Sequence, residues 1–384
     1  MERKKIIRIT TVPVSLKGLL KGQLNYINNF YNVIGISSND NGVLESVAEQ
    51  ENIQVIPVEL TRKITPIQDL KSLWVLYCVL KKEKPYIVHT HTPKAGTIGM
   101  IASYLARVPH RLHTIAGLPL LEATGKKRIL LNFVEKITYK FATKIYPNSF
   151  GLQQIILDHK FTKQNKLKVL GNGSSNGINT SIFNPDLISA NQKNELRNSL
   201  DIKKTDYVFI FLGRIVADKG INELVTAFCK LNKENKNTKL LLVGTFEEEL
   251  DPLDTTTVSK IKENKDIIVT GWQTDVKPYL SIANTLTFPS YREGFPNVVM
   301  QAGAMGLPSI VTNINGCNEI IIEEVNGTII PVKNSDILYK KMLSFYLDKT
   351  GKYNTTHCRQ LIIDRYNQSY IWKEILEEYN SLSK

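Results

Sequence analysis

The stretch from Thr287 to Glu319 constrains the fold of this chain more than any other part of the sequence. A short apolar run is followed by a loop rich in glycine and proline, and Asn297 is predicted as the N-cap of a helix. Gly306 ends the predicted helix, and Ser309–Thr312 is predicted as the next strand. This strand, loop, helix and strand form one repeat of a parallel α/β sheet. Farther along, the pair Asn326-Gly327 predicts a tight hairpin turn between Ile320–Ile322 and Thr328–Val332.

The loop before that helix carries a single acidic side chain, Glu293. The backbone N–H groups around Asn297 and Val298 have no partner within the predicted helix, so they can bind an anion. A carboxylate directly before an anion-binding helix start requires a ligand with two kinds of group. A sugar diphosphate meets this requirement, with its phosphates on the helix and its hydroxyls on the carboxylate.

The length of 384 residues predicts two domains, because a single core rarely grows so large. Apolar strands alternate with amphipathic helices throughout, which predicts doubly wound parallel sheets. The glycine- and serine-rich segment 171–177 is the clearest change of composition and is predicted as a hinge.

The net charge of +13 favours an anionic partner. No nucleic-acid module is visible, and the basic residues do not alternate with aromatic residues as a stacking surface requires. An anionic membrane surface with phosphate-bearing substrates fits better. The segment 125–144 carries lysines on one side and an apolar stripe on the other, which predicts a core helix or, alternatively, a helix on a membrane surface.

Two basic residues follow the buried strand that begins at Tyr207. Arg214 and Lys219 lie five positions apart on a loop punctuated by glycines. Such loops lie at the carboxyl ends of parallel strands, where α/β folds bind ligands, and the two side chains suit a phosphate. A surface ion pair of either residue with Asp218 is the structural alternative.

These segments resemble a known family. GRIVADKG, followed by REGFPNVVMQAGAMGLPSIVTN, resembles the family 4 retaining glycosyltransferases of GT-B fold along essentially the whole chain. The resemblance implies two Rossmann-like doubly wound domains that face each other across a cleft. Residues 1–185, with a returning C-terminal helix in 366–384, are then the acceptor-side domain, and residues 186–365 bind the nucleotide-sugar.

The resemblance also implies site residues. Arg214 and Lys219 match the pair that binds the donor diphosphate and stabilises the leaving group, so neither a metal nor another cofactor is expected. Glu293 matches the first acid of the family's paired-acid motif, beside the donor sugar. The donor-binding residues implied are Gly22, Gly213, Gly294, Phe295, Pro296, Asn297, Val298 and Gln301.

Gln301 departs from the family pattern, which has a second glutamate at this position to accept hydrogen bonds from the ribose hydroxyls. Glutamine can accept one such bond and donate another, so ribose binding is expected to persist with altered strength. The departure also motivates an alternative function, a non-catalytic partner subunit that binds nucleotide-sugar.

The segments HTHTPKAG and LHTIAGLP resemble the branch of the family that builds bacterial capsule, O-antigen or glycoprotein glycans on undecaprenyl diphosphate. His113 matches the histidine near the outer hydroxyls of the donor sugar. His91, Lys94 and Gly117 are predicted to bind the acceptor. His89 and His91 could also suggest a metal, but the sequence shows no third ligand.

The sequence therefore predicts a retaining, metal-independent transferase that moves a hexose or N-acetylhexosamine from a UDP-linked donor to an undecaprenyl-diphosphate-linked saccharide. It is expected in the cytoplasm, peripheral on the inner face of the membrane. A basic nucleic-acid binder and a phosphorylase or epimerase with the same fold are weaker alternatives.

Overall fold

A computed structural model describes residues 3–63, 65–118, 120, 123–247, 251–348 and 351–382. The chain divides into two compact units. The first contains Met1–Gly177 together with Gln368–Lys384, and the second contains Ile178–Asn367. Each unit is built around its own sheet.

The first sheet contains parallel strands in the order β3-β2-β1-β4-β5-β6. Its strands are β1 (Lys5–Ile9), β2 (Asn32–Ser37), β3 (Gln54–Pro57), β4 (Ile87–Thr90), β5 (His110–Ile115) and β6 (Lys144–Pro147).

Both faces of the first sheet are buried. Successive side chains of a strand point to opposite faces, so Ile6 joins one core cluster and Ile7 the other. The helices around it are α1 (Pro13–Leu19), α2 (Gln23–Asn28), α3 (Val43–Glu51), α4 (Pro66–Glu83), α5 (Pro93–Leu105), α6 (Gly125–Phe141) and α7 (Phe150–Asp158).

The second sheet is also parallel, with the order β12-β11-β10-β7-β8-β9. Its strands are β7 (Tyr207–Leu212), β8 (Thr238–Val243), β9 (Ile267–Gly271), β10 (Thr285–Phe288), β11 (Ser309–Thr312) and β12 (Gly327–Ile330). The central strands are almost entirely apolar, because both faces are covered. The predicted doubly wound parallel architecture is confirmed in both units.

The helices of the second unit are α8 (Ala190–Ser199), α9 (Ile221–Glu234), α10 (Thr255–Glu263), α11 (Lys277–Ser281), α12 (Asn297–Ala304), α13 (Cys317–Ile320), α14 (Ser335–Leu347) and α15 (Thr355–Tyr366). The last helix, α16 (Gln368–Ser381), belongs to the first unit. There its buried residues Ile371, Ile375 and Tyr379 join the same core cluster as Ile6.

Two local predictions are wrong. Asn297 is the first residue of α12, and Pro296 occupies the N-cap. The pair Asn326-Gly327 forms no hairpin, because Ile320 ends α13 and residues 321 and 322 form no strand. The side chain of Asn326 instead closes the loop before β12, accepting from the N–H of Ile322 at 2.7 Å and donating to the carbonyl of Ile320 at 3.2 Å.

Helix α6 joins the core through Tyr139, with Leu131 and Phe141 packed against the same cluster, but part of its predicted apolar stripe is exposed. Its buried residues are Thr138 and Tyr139, whereas Ile129 and Phe133 are 70% and 60% exposed. Across the described residues, no helix combines the length and the apolar character needed to cross a membrane.

Candidate functional site

The loops after β7 and β10 touch at the carboxyl edge of the second sheet. Gly220 has a φ of 70°, and a Cβ atom there would lie 2.2 Å from the carbonyl oxygen of Pro289. The N–H of Tyr291 donates to the carbonyl of Asp218 at 2.9 Å. Because glycine alone permits this approach, the backbone brings the side chains of the two loops together.

Lys219 and Glu293, which come from separate sequence motifs, form an ion pair in this structure. The distance between Lys219 Nζ and Glu293 Oε1 is 2.5 Å, and the side chains are 15% and 18% exposed. Ser290 Oγ donates to the same carboxylate oxygen at 3.1 Å. The pair is therefore largely shielded from water, where an electrostatic interaction is stronger than at the surface.

Arg214 also has an acidic partner. Its Nη1 atom lies 2.8 Å from Glu247 Oε2. The hydrogen bond to Glu247 raises the pKa of Arg214, so the guanidinium stays charged. The structural alternative for this loop, an ion pair with Asp218, is made by a different residue: Arg292 binds Asp218 at 2.6 Å. Arg214 and Lys219 thus both lie beside the same sheet edge.

The start of helix α12 lies directly after Glu293. The helix begins without a side-chain N-cap and with no acidic residue in its first turn. Phe295 is buried and packs against Tyr366, with ring centroids 5.4 Å apart, which anchors the loop. An uncapped helix start beside two cations favours an anion electrostatically.

Gln301 lies one turn into α12 and is half-buried. Its side chain makes no hydrogen bond to any residue that the structure describes. Gly213 lies directly after β7, at the edge that also carries Arg214. The second unit thus groups Gly213, Arg214, Lys219, Glu293 and the helix start predicted for the donor.

His113 belongs to the first unit and is buried in β5. Its Nδ1 atom lies 2.8 Å from the hydroxyl of Thr90. Gly96 of α5 covers the ring so closely that a Cβ atom there would lie 2.4 Å from His113 Cε1. Burial lowers the pKa of His113 to about 4, so the imidazole is neutral at pH 7.

His91 contacts a fully buried arginine. Arg8, in the centre of β1, donates to His91 Nε2 at 3.0 Å, to Tyr379 Oη at 3.0 Å and to Gln23 Oε1 at 2.5 Å. His89 Nδ1 lies 2.5 Å from Tyr379 Oη. The two histidines are therefore engaged by side chains within the first unit.

These contacts determine where the proton of His91 lies. Since Nε2 accepts from Arg8, the neutral ring carries its proton on Nδ1. His91 Nδ1, Asn148 Oδ1 and Ser175 Oγ are buried without a partner among the described residues. Their residues line one narrow cavity of about 10 Å³, which is room for about one water molecule. A preset donor and two acceptors can together hold one water-sized hydroxyl there.

Acid is expected to destabilise the protein through these histidines. Burial lowers the pKa of His89, His91 and His113, so the unfolded chain binds protons below about pH 6.5 that the folded chain does not. Stability is then complete above pH 6.5 and falls towards pH 4, by about 1.4 kcal/mol per pH unit for each histidine. Melting temperatures at pH 7 and pH 5 should show this loss.

The free energy of unfolding of the variant His113→Gln should fall less on acidification than that of the wild type. The difference is the contribution of one histidine, about 2 kcal/mol between pH 6.5 and pH 5. His357→Gln, at an exposed histidine of α15, is the matched control for replacing an imidazole by an amide. If the stability of the wild type and of His113→Gln depended equally on pH, His113 would not contribute to the loss of stability in acid.

Three residues of the first unit that were predicted to bind the donor or the acceptor lie apart from the contacts described so far. The N–H of Gly22 donates to Glu51 at 2.6 Å, and a Cβ atom on Gly22 would lie 2.7 Å from Trp372. Lys94 lies 2.7 Å from Asp69 and is 13% exposed. Gly117 follows β5 and has no atom within 4 Å of a Cβ position. Pro119, the last residue of LHTIAGLP, lies outside the described residues.

Sequence reasoning missed Arg8, Tyr379 and Glu247. Arg8 had a visible signal, because it is the one charged residue inside the otherwise apolar core of a predicted buried strand. Tyr379 and Glu247 carry no such signal, since each is placed by contacts between distant segments.

Two sequence families match the chain. The family described as Glycosyl transferases group 1 matches residues 192–361, and the family described as Glycosyl transferase 4-like matches residues 17–149. The capsular polysaccharide biosynthesis glycosyltransferase CapM of Staphylococcus aureus is 32% identical over 386 residues, which cover 100% of this chain and 99% of CapM.

Another relative is the UDP-Gal:alpha-D-GlcNAc-diphosphoundecaprenol alpha-1,3-galactosyltransferase of Escherichia coli. It is 29% identical over 312 residues, covering 80% of this chain and 78% of that enzyme. Among solved structures, HepE of Anabaena in complex with UDP and glucose superposes with a TM-score of 0.80 at 18% identity. The match covers 98% of this chain and 100% of HepE, and it shows that the two proteins share a fold.

Proposed function

The chain belongs to the family 4 glycosyltransferases of GT-B fold, and we propose that it moves a hexose or N-acetylhexosamine from a UDP-linked donor to a lipid-linked saccharide in the synthesis of a bacterial surface polysaccharide. The observation that carries the donor part is the Lys219–Glu293 pair beside the uncapped start of α12. The E. coli relative supports both substrates, since its name specifies UDP-galactose and a diphosphoundecaprenol-linked sugar.

In the proposed reaction the bond between the anomeric carbon and the diphosphate oxygen breaks, and its electrons pass to the diphosphate. The acceptor hydroxyl forms the new bond on the same face of the sugar, and its proton goes to the departing diphosphate. Arg214 and Lys219 stabilise the charge that develops there, which is the role that a divalent cation would otherwise have. Glu293 stabilises positive charge at the anomeric carbon. The reaction is retaining and needs no metal in this proposal.

The remaining residues have more limited proposed roles. The helix start at Gly294–Val298 and Gly213 bind the donor phosphates and sugar, and Gln301 binds the ribose. His113 contacts the outer hydroxyls of the donor sugar as a neutral donor or acceptor. The first unit supplies the acceptor side through His91, whose Nδ1–H is preset as a donor, and through Gly117.

Two proposed contacts require a change from this structure. Lys94 would have to leave Asp69 to bind the acceptor diphosphate. The N–H of Gly22 could donate to the donor substrate only if it left Glu51. Both are therefore the weakest members of the proposed site.

We also propose that the protein binds peripherally to the inner face of the cell membrane. Helices α4 and α6 both pack against α5. Ile67, Leu70 and Trp74 of α4 are 89%, 68% and 66% exposed at helical spacing. Ile129 and Phe133 are exposed on α6, close in sequence to the exposed Lys126 and Lys127. Exposed apolar side chains with nearby lysines suit an anionic lipid surface.

The exposed tryptophans provide a matched test of this surface. Trp74→Ser should reduce sedimentation with phosphatidylglycerol vesicles about tenfold, since the ring loses its apolar contact with lipid. Trp272→Ser is the control, because Trp272 is 70% exposed in the second unit. Equal losses in both variants, or equal binding to phosphatidylcholine vesicles, would argue against the proposed surface.

The proposed function is tested first by melting-temperature shifts against UDP, GDP and their common sugars, with EDTA present. A ligand at 100-fold its dissociation constant should add about 2.7 kcal/mol of stability. A shift with UDP that is lost in Arg214→Ala would support the donor site. The anomeric configuration of the product, read by NMR, then tests retention.

Gln301 keeps one alternative open, a partner subunit that binds nucleotide-sugar without transferring the sugar. UDP-sugar binding without release of UDP, in the presence of membrane lipids, would favour this alternative. Restoring the acid with Gln301→Glu should tighten UDP binding in either case, by about the strength of one charge-assisted hydrogen bond.

A further inference from the structure

The two cations proposed to bind the diphosphate have carboxylate partners of different kinds. The partner of Lys219 is Glu293, a member of the proposed site. The partner of Arg214 is Glu247, which belongs to neither sequence motif and follows β8. The proposed reaction gives Glu247 no role.

The backbone places Glu247 beside Arg214. A Cβ atom on Gly244 would lie 1.8 Å from the carbonyl oxygen of Gly213, so the loops after β7 and β8 approach as closely as glycine allows. The N–H of Ile215 donates to the carbonyl of Thr245 at 2.8 Å, and Ile215 forms a bridge with Phe246. Glu247 is the next residue, so its position follows from backbone pairing.

Glu247 binds only one of the three nitrogen atoms of the Arg214 guanidinium. Nη1 of Arg214 binds it, while Nε and Nη2 have no hydrogen-bond partner among the described residues. These two nitrogens form the edge that binds a phosphate with two parallel hydrogen bonds. A diphosphate can therefore bind Arg214 while Glu247 stays in place, with its negative charge close to the phosphate.

We propose that Glu247 discriminates by charge between the sugar donor and the departing nucleoside diphosphate, and so promotes release of the product. The inference rests on the proposed function. In the donor, the sugar esterifies the outer phosphate; after transfer, that phosphate is terminal and loses one more proton near neutral pH. A fixed carboxylate repels the ligand with the additional charge more strongly. Glu247 is thus a specificity residue for the outer phosphate.

The test compares UDP with its β-methyl ester, which has the charge of the donor diphosphate but carries no sugar. Glu247→Gln retains an oxygen that can accept from Arg214 and removes only the charge. Calorimetry with the full chain at pH 7.5 should show UDP binding about fivefold tighter in Glu247→Gln, with little change for the methyl ester. If product release limits turnover, the maximal rate should fall in the same variant.

Asp336→Asn is the matched control. Asp336 pairs with Lys230 in the same unit and is 77% exposed, so the substitution changes the net charge equally away from the loops after β7 and β8. An equal gain of UDP affinity in this control would overturn the proposal. So would equal tightening for UDP and the ester, or weaker UDP binding in Glu247→Gln, which would mean that Glu247 acts by holding Arg214 in position.

The failure of the proposed function has a different signature. If the wild-type protein binds neither UDP nor the ester, the nucleotide site itself is wrong, and this inference falls with it. If the wild type binds both ligands and Glu247→Gln leaves the two affinities unchanged, only the role of Glu247 is overturned.

Discussion

Replacing Glu293 by glutamine is expected to reduce sugar transfer about a thousandfold and to change UDP affinity less than about tenfold. In the proposed reaction the carboxylate stabilises positive charge at the anomeric carbon, whereas the proposed contacts of UDP are with the neighbouring cations. Glutamine has the same shape and can still accept from Ser290. The measurement is steady-state transfer together with UDP calorimetry.

Glu223→Gln is the matched control for this prediction. Glu223 also contacts the loop after β10, since both of its carboxylate oxygens accept from Tyr291 Oη, at 2.8 and 2.7 Å. Glu223 forms neither a hydrogen bond nor an ion pair with Lys219, whose carboxylate partner is Glu293. Near-normal transfer by Glu293→Gln would remove Glu293 from the mechanism, and an equal loss in Glu223→Gln would attribute the effect to the loop as a whole.

Replacing Lys219 by methionine should lower UDP affinity by at least about tenfold and also lower stability, by about 2 kcal/mol. The affinity falls because one of the two cations proposed to bind the phosphates is lost. The stability falls because Glu293, only 18% exposed, is left without its cation. Calorimetry and thermal unfolding measure the two effects separately.

The double variant Lys219→Met with Glu293→Gln separates the two effects. Removing the charge of Glu293 as well should restore most of the lost stability, because no unpaired carboxylate remains. It should restore neither UDP affinity nor transfer. A double variant that stays as unstable as Lys219→Met would show that the ion pair does not account for the stability loss.

The architecture was predictable because buried parallel strands have a strong local signal. The run Tyr207–Leu212 is apolar throughout, and the glycine and proline residues around α12 mark where that helix begins and ends. Short-range patterns of this kind decide most of the strand and helix positions. They fail at Asn326-Gly327, because the segment before this pair ends helix α13 and forms no strand that could pair with β12.

The site was predictable only in part. Resemblance to the family indicated Lys219 and Glu293, but their direct pairing depends on the close approach of Gly220 to Pro289. Neither residue's neighbours in sequence indicate that contact. The network of Arg8 was less predictable still, because Tyr379 lies 371 positions away along the chain.

The membership of α16 in the first unit affects the order in which the chain can fold during synthesis. The strands of the first sheet are made before the second unit, but Tyr379, which binds Arg8, is made after it. The second unit is continuous in sequence, so it can be completed before the first. A nascent chain that ends before Gln368 therefore contains a finished second unit and a first unit whose arginine still lacks one of its buried partners.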